Sequence, residues 1–257
     1  MTTSTGALLQ RFHLRPKQSL GQNFMQDPVW LKRIVAAGEV RNQDLVLEIG
    51  PGTGSLTRYL AAAAREVVAI ELDERLLPVL SHVLKDCENV NVVMGDILEY
   101  QLHRLLPAAA DTGFKVIANI PYYITGQILR HLLQSDLRPA LLVLTVQREV
   151  AARMVADVGQ MSLLAVSVQF YCSAHFVSRV PAGAFYPQPG VDSAVVRLDV
   201  RPQTAWPHPD ALRFFRVTRA GFAQRRKQLQ NAVAHGLALP REQVTASLLA
   251  AGVDPRR

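Results

Sequence analysis

The stretch Asp44–Gly54, DLVLEIGPGTG, constrains this chain more than any other. Leu45–Ile49 is apolar apart from Glu48, the texture of a strand buried on both faces. It runs straight into Gly50, Gly52 and Gly54, where the backbone can turn sharply and come close to a ligand. Ser55–Ala64 then reads as a helix. The pattern recurs downstream. Glu66–Ile70, Val90–Met94, Lys115–Ala118 and Ala140–Val146 read as strands, Asp73–Leu84 and Gly126–Gln134 as helices. Strands separated by helices of about ten residues need right-handed crossovers, so an α/β architecture with a mainly parallel sheet is expected. After Glu149 the texture changes: Ser162–Phe170 and Ala194–Val200 are β-rich, with a Pro-rich loop at Val180–Val191 between them. The chain reads as helical from about Asp210 onward. Trp206-Pro207-His208-Pro209 is the strongest linker signal, which places a boundary near residue 203 and predicts domains over 1–203 and 204–257.

Charge separates the chain into regions. Of 28 Lys+Arg and 21 Asp+Glu, residues 1–33 hold five and one, net +4. Residues 34–178 hold eleven and fifteen, net −4, and residues 179–257 hold twelve and five, net +7. Basic ends around an acidic middle suit a polyanion partner at the ends and a phosphate-free ligand in the middle. Two cysteines, Cys87 and Cys172, exclude a disulfide framework and a cysteine zinc site, and no metal is expected. Apolar runs are too short for a bilayer. The N-terminus lacks the apolar core of a secretory signal; its hydroxyl-rich, acid-poor start faintly resembles a transit peptide, but an untargeted cytoplasmic protein is expected.

The glycine loop is one residue out of register with the dinucleotide fingerprint G-x-G-x-x-G: the third glycine is Gly54 and position 55 is Ser. A phosphate-binding P-loop is absent. The carboxylates narrow the ligand further. Glu71 ends the second strand and Asp96 follows the third, where an open parallel sheet presents side chains to ligands, and Glu48 adds negative charge beside the loop. Such a pocket repels phosphates and suits a cationic nucleoside, with S-adenosylmethionine the obvious candidate. Asn119-Ile120-Pro121-Tyr122 follows the fourth strand. An asparagine oxygen and a backbone carbonyl can accept both N–H groups of an exocyclic amine, and Tyr122 can stack on the base.

These motifs, together with Ser19–Phe24, Glu71-Leu72-Asp73, Gly95-Asp96, Val146–Ala151, Phe185–Val195 and Arg225–Leu229, resemble the ribosomal RNA adenine N6-dimethyltransferase family over about Arg15–Ala232. Within it, the resemblance is to the small-subunit (16S) rRNA branch. It implies a Rossmann-like class I methyltransferase domain with a basic N-terminal arm, followed by a small helical RNA-binding domain. It further implies that S-adenosylmethionine is held by Asn23, Met25, Glu48, Gly50, Gly52, Gly54, Glu71, Asp96 and Asn119. Asn119, Pro121, Tyr122 and Phe185 would form the catalytic set, with Phe185 lying over the target base beside Tyr122. Met25 stands where the family usually has Leu.

Arg11, Arg15 and Lys17 form a basic arm, and Arg216, Arg219, Arg225, Arg226 and Lys227 cluster on the expected C-terminal helices; both groups are expected to meet RNA. The implied activity is N6,N6-dimethylation of two adjacent adenosines near the 3′ end of small-subunit rRNA, inside a pre-30S particle, by a monomer. Two alternatives stay open: a large-subunit rRNA dimethyltransferase conferring macrolide resistance, and an assembly factor whose main act is binding.

Overall fold

The computed structural model describes residues 4–202, 208–224 and 226–257. They separate into two compact units, one of 1–155 with 171–201, the other of 156–170 with 202–257.

In the first unit α1 (Thr5–Arg11), β1 (Phe24–Met25) and α2 (Pro28–Ala37) lead into β2 (Leu45–Ile49). Then follow α3 (Ser55–Ala61), β3 (Glu66–Glu71), α4 (Leu77–Val83), β4 (Val90–Met94), the short α5 (Leu102–Leu105) and α6 (Ala109–Thr112), β5 (Lys115–Asn119), α7 (Thr125–Gln134), β6 (Leu141–Gln147) and α8 (Arg148–Met154). Beyond α9 (Leu163–Tyr171) come β7 (Cys172–Val180), β8 (Phe185–Tyr186) and β9 (Ser193–Val200). The main sheet has the order β4-β3-β2-β5-β6-β9-β7. Its first five strands are parallel, and β9 runs antiparallel to both of its neighbours, β6 and β7, so the expected mainly parallel α/β sheet is present. Every residue of β2 is buried, as a strand covered on both faces requires. Ile34, Leu60, Val46, Val67 and Ile117 fill the layer between sheet and helices.

The helix expected over Asp73–Leu84 begins instead as a 3-10 turn at Glu74–Leu76, with Asp73 as its cap and Pro78 in the first turn of α4. Pro cannot sit deeper in a helix without losing a backbone bond. The β-rich expectation for Ser162–Phe170 is corrected: this segment is α9. Ser162 supplies its cap by accepting from the Ala165 N–H at 3.3 Å, and Ala165 and Val168, three apart, are both buried. An apolar run of this length fits either period until its cap is recognised.

In the second unit α10 (His208–Phe222), α11 (Leu229–Leu237) and α12 (Arg241–Ala250) follow α9. Ala211, Phe215 and Ala220 form the buried side of α10, and Phe170 stacks on Phe214 with ring centroids 4.5 Å apart. A Cβ added to Gly236 would lie 2.6 Å from the Ala220 Cβ, so a hydrogen side chain there lets α10 and α11 close on each other. Trp206 and Pro207 of the expected linker lie outside the described residues. No helix among the described residues is long and apolar enough to cross a membrane.

Candidate active site

The carboxyl ends of β2, β3, β4 and β5 open onto one cavity, where an open parallel sheet gathers a ligand. Glu48, Gly50, Gly52, Glu71, Asp96, Asn119, Pro121 and Tyr122 line it, and residues 20–25 form its outer wall. Asn23 and Met25 are among these wall residues. Gly54 lies one step further, at the cap of α3.

The glycine loop has a steric cause. Gly50 and Gly52 have φ of +68° and +58°, backbone that favours glycine. A Cβ on Gly52 would strike the Phe24 ring at 2.7 Å, while at Gly50 it meets nothing within 4 Å. The open side of Gly50 is thus a cradle that a side chain would fill.

Glu71 is 5% exposed. Its Oε2 accepts from the Gly52 N–H at 3.0 Å and its Oε1 from the Asp73 N–H at 2.8 Å. Burial raises its pKa and these backbone bonds oppose the rise. A carboxylate has four acceptor sites, so hydroxyls can still be received. Asp96 spends one oxygen on the Leu98 N–H at 2.9 Å. Glu48 is 1% exposed. Among the described residues neither its Oε2 nor the nearby Thr57 Oγ1 has a partner at full hydrogen-bond geometry, although the Thr57 hydroxyl is close enough to act on the carboxyl. Burial, reinforced by Glu71 and opposed by the Thr57 hydroxyl, pushes its carboxyl up to about 8. Burial thus favours the neutral form of the expected third negative charge, and a bound cation would favour its ionised form.

Among the described residues no Lys, Arg or His lines this cavity. A nucleotide phosphate would find no countercharge, whereas the orphaned Glu48 oxygen, Glu71 and Asp96 fit a cationic nucleoside such as S-adenosylmethionine. Among the described residues no group of three or more His, Cys, Asp or Glu is placed to hold a metal.

At the end of β5 the Asn119 Nδ2 donates to the Asn23 backbone oxygen at 3.0 Å. That bond commits the nitrogen and leaves Oδ1 to accept from a ligand. Pro121 fixes the turn that follows, and the Tyr122 hydroxyl is 2.6 Å from Ser193 Oγ, a fully buried residue. Ser193 had no role in the sequence analysis; it stands at the start of β9, opposite Gln147. A second cavity adjoins, lined by Gly21, Gln22, Asn23, Tyr122, Gln147 and the proline loop Pro187–Val191.

The expectation for Phe185 is corrected. Its side chain is 3% exposed and packed in the core with Ala184 and Val195, and it lines neither cavity. Its partner in register is Met25, so it braces the β1 wall from behind. The loop it opens is closed by an Arg179–Asp192 ion pair and by the Ala182 N–H on Asp192 at 3.0 Å; Arg179 holds the Asp192 carboxyl below its usual range.

The basic residues fall in two places. Arg15 and Lys17 are exposed, and Arg11 reaches His82 at 3.2 Å. In the second unit Arg216 and Arg219 are exposed on α10, where Arg219 Nε donates to the Phe215 oxygen at 3.1 Å. Arg226 and Lys227 are exposed in the turn before α11. Arg225 lies outside the described residues.

The sequence profile of the ribosomal RNA adenine dimethylase family matches residues 13–255. This chain belongs to that family. Other members resemble this dimethylase along most of their length. The ribosomal RNA small subunit methyltransferase A of Moorella thermoacetica is 44% identical, over 98% of this chain and 90% of its own. The protein of the same description from Dehalococcoides mccartyi strain CBDB1 is 40% identical, over 97% and 85%. Among solved structures, a dimethyladenosine transferase from Plasmodium falciparum aligns with TM-score 0.73 at 27% identity, covering 91% of each chain. The 23S rRNA methyltransferase ErmE aligns with TM-score 0.71 at 31% identity, covering 91% of this dimethylase and 92% of ErmE.

Proposed function

We propose that this dimethylase transfers methyl groups from S-adenosylmethionine to N6 of two adjacent adenosines near the 3′ end of small-subunit (16S) rRNA, giving N6,N6-dimethyladenosine. The observation that carries the chemistry is the Asn119–Asn23 bond, which turns the Asn119 oxygen into a fixed acceptor beside a tethered Tyr122. Relatives at 40–44% identity described as small-subunit methyltransferases support the choice of rRNA.

The chain's own residues account for positioning. Asn119 Oδ1 and a backbone carbonyl of the same turn accept the two N–H groups of the adenine amine. This draws the nitrogen lone pair out of conjugation, so the lone pair is the nucleophile and no general base is needed before attack. Tyr122 offers its ring to the base while Ser193 holds its hydroxyl. Reacting atoms must be held about 3–3.5 Å apart, and pre-set acceptors and dipoles supply the electrostatic part. The cofactor supplies an electrophilic methyl group. After transfer the amine loses a proton to the acceptors or to water.

Glu48, Glu71, Asp96 and the wall 23–25 hold the cofactor. Arg11, Arg15 and Lys17 in the first unit, and Arg216, Arg219, Arg225, Arg226 and Lys227 in the second, contact phosphates of the rRNA. The enzyme works as a monomer, without a metal, on cytoplasmic pre-30S particles. Under-methylated small subunits incubated with labelled cofactor should gain label, and mass spectrometry of their rRNA should show two dimethyladenosines. Label entering only large-subunit RNA would transfer the assignment to that substrate, and no transfer to either would reject catalysis.

A further inference from the structure

The segment that walls the cofactor cavity precedes the main sheet in the chain and belongs to a separate two-stranded ribbon, so something must hold it shut. β1 is two residues long and pairs only with β8, too little to fix residues 18–23. The Gln22 side chain does more. Its Oε1 accepts from the Lys17 N–H at 2.7 Å, closing the turn at 18–20, and its Nε2 donates to Asp73 Oδ2 at 2.8 Å. Asp73 is itself 5% exposed, and Arg75 grips it with two bonds, 2.8 Å to Oδ1 and 2.6 Å to Oδ2. The Asp73 N–H is one of the two that hold Glu71. One residue later, the Asn23 oxygen takes the Asn119 amide.

We propose that Gln22 is a positioning residue, a latch that holds the wall 20–25 over the cofactor cavity and, through Asp73, keeps Glu71 in place. This rests on the assignment of that cavity to S-adenosylmethionine. Gln22 touches neither reacting atom; it acts through Asp73 and the neighbouring Asn23. The side chain fits the task chemically. At neutral pH the amide of this long side chain combines an acceptor for Lys17 N–H with a donor for a carboxylate. Asn is one methylene shorter, and Glu would set a second carboxylate against Asp73.

The test uses the full chain with S-adenosylmethionine as the probe. Gln22→Ala should weaken cofactor binding about tenfold, the scale of one hydrogen bond to a charged group, through faster dissociation in stopped-flow. The cofactor KM should rise in step and by more than kcat at saturating cofactor falls, with the fold kept by circular dichroism. Gln22→Glu gives a signature that a merely structural role would not. At pH 8 its carboxylate is set against Asp73, which Arg75 grips and whose N–H holds Glu71, and binding should be as weak as in Gln22→Ala. Toward pH 5 a protonated Glu side chain can donate to Asp73, so affinity relative to wild type at the same pH should recover. Gln22→Ala binding as tightly as wild type, or Gln22→Glu showing no recovery on acidification, overturns the latch. A folded wild type that binds no S-adenosylmethionine overturns the cofactor assignment itself, and the latch with it.

Discussion

Replacing Glu48 by Gln isolates the energetic cost of a buried acid. The amide has the same shape, so no cavity opens, and it cannot ionise. In the folded wild type the carboxyl is raised from 4.5 to about 8, so the folded state holds its proton more tightly than the unfolded chain. The sign follows: this contribution to stability is fully present below about 4.5 and is lost as pH climbs to about 8. The interval from 4.5 to 8 corresponds to an upper bound on the order of 5 kcal/mol. Water penetration and relaxation reduce it, and about 2 kcal/mol is expected to survive. For a chain of this size that is roughly 4–8 °C in melting temperature. Calorimetric scans without cofactor at pH 5.5 and 8.5 give the measurement. Titrating groups that do not interact with Glu48 are common to both proteins and cancel in the difference; Glu71, whose charge reinforces the Glu48 rise, is part of the effect being read. The wild type should lose at least about 4 °C more than Glu48→Gln between the two pH values. Equal losses would mean that water or a neighbouring group stabilises the carboxylate in the folded protein, and the neutral-acid assignment would fail.

Cofactor binding near pH 7 should release up to one proton, because a cation favours ionised Glu48; calorimetry in buffers of different ionisation enthalpy reads this, and Glu48→Gln should abolish it. Glu71→Ala should weaken S-adenosylmethionine binding, each lost charge-assisted bond costing about 1.5–3 kcal/mol. It should also lower the melting temperature, since the Gly52 and Asp73 N–H groups lose their acceptor, and unchanged affinity would remove Glu71 from the cofactor. Asn119→Ala should slow single-turnover transfer about 100-fold or more with cofactor and RNA binding largely kept, whereas a rate within about threefold of wild type would leave Asn119 as a turn residue. Neutralising Arg225, Arg226 and Lys227 should reduce the log–log salt slope of RNA binding by about 0.7–0.9 per lost phosphate contact; an unchanged slope would place them off the RNA.

The parts of the site that sequence made legible are those where local chemistry and position coincide. A strand such as β2, buried on both faces, is a continuous apolar run, and positive φ at 50, 52 and 54 demands the residues that stand there. Glu71, Asp96 and Asn119 are found by counting to strand ends. The rest depends on distance in the fold. Gln22 and Asp73 are 51 residues apart and nothing in their spacing announces a bond. The charge state of Glu48 follows from its depth, which composition does not reveal. Phe185 sits among prolines that suggest an exposed loop, yet its strand pairing turns it inward. At α9 the apolar run satisfied two periods, and the Ser162 cap that decides between them is a single hydroxyl. β7 reads poorly because, as an edge strand, it is largely exposed along its length and lacks the apolar run that marks the central strands.

The reversal of β9 has a consequence of its own. In a sheet whose strands all point one way, only the places where strands finish can meet a ligand, and each new side chain there requires a full crossover. β9 runs the other way beside β6, so the place where it starts lies at that same rim. The chain thus delivers Ser193 and the twelve or so residues before it, from Pro181 on, to the rim without another helix. An incoming loop is tied at its exit to the hydroxyl of Tyr122, and the vectorial sense of one strand lets a late stretch of chain complete a rim that earlier strands began.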